Sequence, residues 1–269
     1  MENADIEQKV AGHYTQGNVV NRIVEALGLE PDKQGQVSVE TLFPVDQLHH
    51  GGVALTEKMA EHAGMCTGMK VLNAGSGIGG AARFLVDRFG CEVDAIDLSE
   101  EYVSSAQALD KFVGLTGRIM HRVGSVTELP FPGEAFDVVW CQNVTMNVPD
   151  KTAMFAEAYR VLREGGVYVL SHLGESKRGT MDYPLPWAMT AETSFASPPD
   201  TMLQLLADAG FHRVTNHGPD APSPPLPSSP TGRPQDMFAM GDDMPQRRAN
   251  VAHAVADGRL VPMLITAYR

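Results

Sequence analysis

Apolar positions in the first part of the chain recur at helical spacing: Ile6, Val10 and Tyr14, then Val19, Val20, Ile23, Val24 and Leu27. That period predicts helices, and Gly28 and Pro31 break it. A second helical stretch is expected over 53–62. From residue 69 the pattern changes. Short apolar runs at 69–74, 92–96, 118–123, 136–141 and 167–172 read as strands. Helical patterns separate them at 78–89, 99–113 and 149–162, with Ser99 as an N-cap ahead of Glu100 and Glu101. Gly165-Gly166 is expected to stop the third of these helices. Strands alternating with helices predict a mostly parallel sheet covered on both faces. Beyond it, 173–199 is irregular, 201–209 helical and 211–216 a strand. Residues 218–235 carry seven prolines and read as a solvent-exposed loop. A helix at 244–255 and a strand at 260–268, antiparallel within the sheet, complete the pattern.

Composition narrows the function. With 269 residues, 43% of them hydrophobic, the chain is long enough for one large α/β domain. Net charge is −12 without basic clusters, a poor match to nucleic acid or an anionic membrane. No apolar run reaches the roughly 18 residues of a membrane span. Cys66, Cys91 and Cys141 form no CxxC pair, and the His residues lack metal-ligand spacing. No metal site is expected, and a reducing cytoplasm fits.

The strongest local signal is Asn73-Ala74-Gly75-Ser76-Gly77-Ile78-Gly79-Gly80, between a strand and a helix. Glycines let backbone approach a ligand, and a helix N-terminus offers unpaired N–H groups. Asp97 follows twenty residues after Gly77, at the end of the next strand, where a carboxylate can accept both ribose hydroxyls. The turn also satisfies GxGxxG, so a dinucleotide domain is the rival reading.

Further blocks resemble the class I S-adenosylmethionine (SAM) dependent methyltransferases, over about residues 45–269. The turn is similar to the family's first motif, and Asp97 to its ribose-binding acid. Gly124-Ser125-Val126-Thr127-Glu128-Leu129-Pro130-Phe131 resembles the block after the third strand, and Phe136-Asp137-Val138-Val139-Trp140 the fourth strand. Arg160–Gly166 resembles the turn before the fifth. Asp46–Gly52 and Trp140-Cys141-Gln142-Asn143 are similar to small-molecule enzymes of the sarcosine/dimethylglycine and tocopherol type. The resemblance implies a Rossmann-like seven-stranded mixed sheet of order 3-2-1-4-5-7-6, strand 7 antiparallel. Residues 1–64 would form a helical lid and 65–269 the cofactor domain, with 173–199 and 218–257 as substrate-side insertions.

It also implies a site. Asn73, Gly75, Ser76, Gly77, Gly79, Asp97, Leu98, Ser125, Val126, Gln142, Tyr14 and Gly52 would hold SAM. Asn143, Asn147 and His172 would face the acceptor, with Tyr183 and Trp187 in a lid over it. Three departures stand out: Asn73 where the family has an acid, Ser125 where an Asp meets adenine, and Asn147 where many relatives carry His. Asn cannot act as a general base, so His172, His49 and His50 remain as candidates. The expected activity is methyl transfer to a small metabolite carrying an amine or a readily ionised O, S or C nucleophile. A SAM-binding enzyme of other chemistry and a non-enzymatic SAM-binding protein are the alternatives. The expected protein is cytoplasmic, a monomer or homodimer.

Overall fold

A computed structural model describes residues 3–49, 51–218 and 237–269. His50 and most of the proline-rich 218–235 segment lie outside the described residues. Four helices come first: α1 (Asn3–His13), α2 (Val19–Leu27), α3 (Phe43–Asp46) and α4 (Gly52–Ala63). Gly28 closes α2 in the left-handed conformation, φ 61°, with its N–H on the Val24 and Glu25 carbonyls.

The sheet then builds as β1 (Lys70–Ala74), α5 (Gly80–Phe89), β2 (Glu92–Asp97), α6 (Glu100–Phe112), β3 (Ile119–Val123), β4 (Phe136–Gln142), α7 (Lys151–Val161) and β5 (Leu162–Glu175). Next come α8 (Pro199–Asp208), β6 (His212–Asn216), α9 (Met237–Met240), α10 (Met244–Ala256) and β7 (Leu260–Tyr268). Strand order is β3-β2-β1-β4-β5-β7-β6, with β7 antiparallel to both neighbours, as expected. Every residue of β4 is buried, because helices cover both faces of this central strand.

Ser99 caps α6 by accepting from the Tyr102 N–H at 3.2 Å. The expectation for Gly165-Gly166 is corrected. Helix α7 ends at Val161 and β5 starts at Leu162, running through the glycines to Glu175. Phe136 pairs with Leu162 and Val138 with Val167, so residues 163–166 form a bulge. Gly165 takes φ 75° there.

Candidate active site

The glycine turn performs three tasks at neighbouring positions. A Cβ on Gly75 would lie 2.2 Å from Cγ2 of Val144, so this glycine permits close packing against the loop after β4. A Cβ on Gly80 would lie 2.2 Å from the Asp46 carbonyl oxygen, so this one lets the N-terminal segment rest on the turn. A Cβ on Gly77 would meet no protein atom within 4 Å. Gly77, at φ 54°, lines a cavity of about 580 Å³ at the carboxyl ends of β1, β2 and β4, the ligand position of open α/β sheets.

Asp97 is fixed at the cavity wall. Its Oδ2 accepts from the Gly77 N–H at 2.7 Å and its Oδ1 from the Ser99 N–H at 3.0 Å. Burial pushes the carboxyl above its ordinary range, and those N–H groups oppose the shift. Asn73, Ser76, Leu98, Val126, Gln142, Tyr14 and Gly52 line the same space. Gly79 and Ser125 do not. Gly79 turns inward against Arg83, Ala106 and His121. The Ser125 hydroxyl donates to Glu7 of α1 at 2.6 Å.

The N-terminal segment is anchored by buried charge. Arg83 donates to Asp46 from Nε at 3.1 Å and Nη2 at 2.9 Å, and to Asp110 at 3.0 Å. Asp110 in turn meets His121 at 2.9 Å. Behind the cavity, the Gln142 amide donates to His49 Nδ1 and to Thr56, both at 3.1 Å. Gln142 also accepts from the Trp140 indole at 3.1 Å.

Asn143, Asn147 and Trp187 line the cavity together. His172 does not, which corrects its expected place facing the acceptor. The ring is 1% exposed. Its Nε2 donates to the Ser197 carbonyl at 2.9 Å, and its Nδ1 accepts from Thr145 at 2.6 Å. Burial lowers its pKa to about 4, so the ring is neutral and committed at both nitrogens. Tyr183 also sits outside, within the apolar cluster around Trp187. Among the described residues lining the cavity, His49 is the only histidine. Its Nε2 faces Gln47 Oε1 at 3.1 Å.

Several cavity residues escaped the sequence reading: Asp46, Gln47, Met146, Leu173, Met244 and Arg248. Asp46 and Gln47 stand inside the Asp46–Gly52 block. Arg248 carried no signal of its own, because only the face of α10 reveals its direction.

Residues 72–170 match the family described as "Methyltransferase domain". That stretch is similar to a methyltransferase domain, and the strand order is the one the class I resemblance implied. The chain's sequence is 31% identical over 148 residues to sarcosine/dimethylglycine N-methyltransferase of Halorhodospira halochloris, covering 54% of this chain and 52% of that protein. It is 30% identical over 137 residues to phosphoethanolamine N-methyltransferase 1 of Arabidopsis thaliana, covering 51% and 28%. The aligned part thus spans about half or less of these relatives' length. The fold matches geranyl diphosphate C-methyltransferase from Streptomyces coelicolor A3(2), with TM-score 0.69, 21% identity and 98% of each chain covered.

A geranyl diphosphate methyltransferase of the same fold, with TM-score 0.63 and 23% identity, is solved in complex with SAM, and the residues present here fit that group. Asn73 Nδ2 and Ser76 Oγ are buried at the cavity wall with no hydrogen-bond partner among the described residues. Buried donors of this kind call for a polar ligand. Gly77 offers room where backbone must meet it. No helix among the described residues is long and apolar enough to cross a membrane.

Proposed function

We propose that this chain transfers a methyl group from SAM to a small molecule. The observation that carries the reading is Asp97, held by the Gly77 and Ser99 N–H groups at the edge of the cavity. SAM supplies an electrophilic methyl on a sulfonium. Asp97 would accept the ribose hydroxyls, with Leu98 and Val126 against the adenine. Asn73 and Gln142 would hold the amino-acid end.

Acceptor alignment falls to Asn143, Asn147 and Trp187. Ser171 Oγ donates to Asn143 Oδ1 at 2.6 Å, which fixes that amide. His172 is sealed off, and both His49 nitrogens have partners. The residues therefore suit a nucleophile that arrives reactive, an amine or an ionised O, S or C centre, needing alignment more than deprotonation. Residues 1–64 act as a lid on the domain of 65–269. It works in the cytoplasm as a monomer or homodimer, and a net charge of −12 disfavours nucleic-acid and anionic-membrane partners.

The test is incubation with methyl-labelled SAM and a metabolite extract, followed by product analysis. Label should appear in a small molecule. Tight SAM binding with no label transferred to any component would overturn methyl transfer while leaving the cofactor site standing.

A further inference from the structure

The cavity changes character away from the glycine turn. Among the described residues lining it, the buried side-chain atoms that lack a hydrogen-bond partner are Asn73 Nδ2 and Ser76 Oγ, both at the cofactor end. The acceptor end is built differently. Met146, Leu173, Trp187 and Val251 line it and belong to one packed apolar cluster. Met244 and Ala252 extend that surface along the same face of α10 as Val251. The polar atoms beside it are already committed. Asn147 accepts from Tyr14 and donates to the Trp187 carbonyl. The Trp187 indole donates to Ser194, and Asn143 Oδ1 accepts from Ser171. Arg248, which borders this wall, has a partner of its own. Both carboxylates lining the cavity are engaged as well, Asp97 with Gly77 and Ser99 and Asp46 with Arg83.

We infer that the methyl acceptor is a lipophilic molecule with a single polar end, its nucleophile beside Asn143 and its apolar body against Met146, Leu173, Trp187 and Val251. This rests on the methyl-transfer reading above. An apolar body takes that wall out of water, and each methylene buried raises affinity about threefold to fourfold. With its oxygen held by Ser171, Asn143 keeps its amide nitrogen for one polar group. A zwitterion or a small phosphoester has more charge than that to place. It would surrender its water against methyl, thioether and indole surfaces, and unmatched buried charge is costly.

The experiment has two arms, both on the full chain. In the first, butanol, hexanol, octanol, sarcosine and phosphoethanolamine are titrated by ligand-observed NMR, with S-adenosylhomocysteine filling the cofactor end. Affinity should climb roughly a hundredfold from butanol to octanol, the product of four buried methylenes. Val251→Asp should weaken octanol at least about tenfold, since a carboxylate then faces the alkyl chain. S-adenosylhomocysteine affinity should stay within about twofold in that variant. Affinity independent of chain length would overturn the inference, and so would sarcosine or phosphoethanolamine binding more tightly than octanol. The chain-length slope on the unmodified protein decides even if Val251→Asp fails to fold. In the second arm, product from methyl-labelled SAM and a metabolite extract is partitioned between water and an organic solvent. Label should enter the organic phase. Label confined to water-soluble product would overturn the inference and leave methyl transfer standing. No label transferred, with the chain-length slope intact, would count against methyl transfer and uphold the lipophilic site.

Discussion

The Tyr14 hydroxyl donates to Asn147 Oδ1 at 2.7 Å, and the Asn147 amide donates to the Trp187 carbonyl at 2.7 Å. One side chain after β4 thus joins the residue following α1 to the loop after β5. Asn147, at the position where the resemblance implies a histidine, ties two covering segments together here. Tyr14→Phe leaves the amide oxygen short of a donor, at about 1–3 kcal/mol. Amide exchange over residues 5–16 should quicken, and S-adenosylhomocysteine affinity should fall roughly tenfold. Exchange identical to the unmodified protein would show that the bond does not hold α1 in place.

Two glycines with one residue between them, Gly75 and Gly77, separate packing from binding. Gly75→Ala drives a methyl into Val144 and should lower the unfolding midpoint, with partial rescue by Val144→Ala. Gly77→Ala meets no protein atom and costs only the left-handed backbone, about 1–2 kcal/mol. It should remain folded while losing SAM affinity. Calorimetry beside thermal melts checks both, and full SAM affinity in Gly77→Ala would remove that glycine from the cofactor wall.

Asp46 and Arg83 are both fully buried at the side chain and joined by two hydrogen bonds. Removing one member of such a pair strands the other charge, at about 3–5 kcal/mol. Asp46→Ala should lose stability toward the lower end of that range, because Asp110 still pairs with Arg83. Urea unfolding measures it. A loss below about 1 kcal/mol, the scale of an exposed pair, would contradict the buried geometry.

His172 gives a pH prediction about stability. Its folded pKa is lowered from 6.5 to about 4 by burial. Between those values the unfolded chain binds the extra proton, so stability is full above pH 6.5 and falls as pH drops toward 4. The loss is on the order of 3 kcal/mol at about 1.4 kcal/mol per pKa unit. His172→Asn should be less stable at pH 7.5 yet lose less between pH 6.5 and 4.5. The pH profile of turnover should be unchanged in that variant, since the ring lies outside the cavity. A profile that lost an ionisation would restore His172 as a base.

Most of the sheet was legible because its signals are local. Strand periodicity, the Ser99 cap and the Gly28 stop each depend on neighbours in sequence, and each stands as expected. The glycine pair at 165–166 was read as a helix stop because glycine breaks helices. The helix ends four residues earlier, and the pair serves a bulge set by pairing with β4. Asp97, Asn73 and Gln142 reached the cavity because strand ends project there by topology. His172 shares that address but faces Thr145 and Ser197, a matter of side-chain direction that the strand pattern does not carry. Ser125 is turned by Glu7, 118 positions away. Arg248 depends on which face α10 presents, and only packing decides that.

The order β5-β7-β6 makes β6 and β7 neighbouring antiparallel strands. The chain between them carries Met240, Met244, Arg248, Val251 and Ala252, much of the cavity's far wall. A connection between adjacent strands can be lengthened or rebuilt at little entropic cost, about 0.6 kcal/mol per doubling of length. The register of the sheet does not depend on its content. That segment is therefore a graftable cassette. Exchanging it between proteins of this fold would redraw the cavity's far wall while β1, β2 and the glycine turn keep their form.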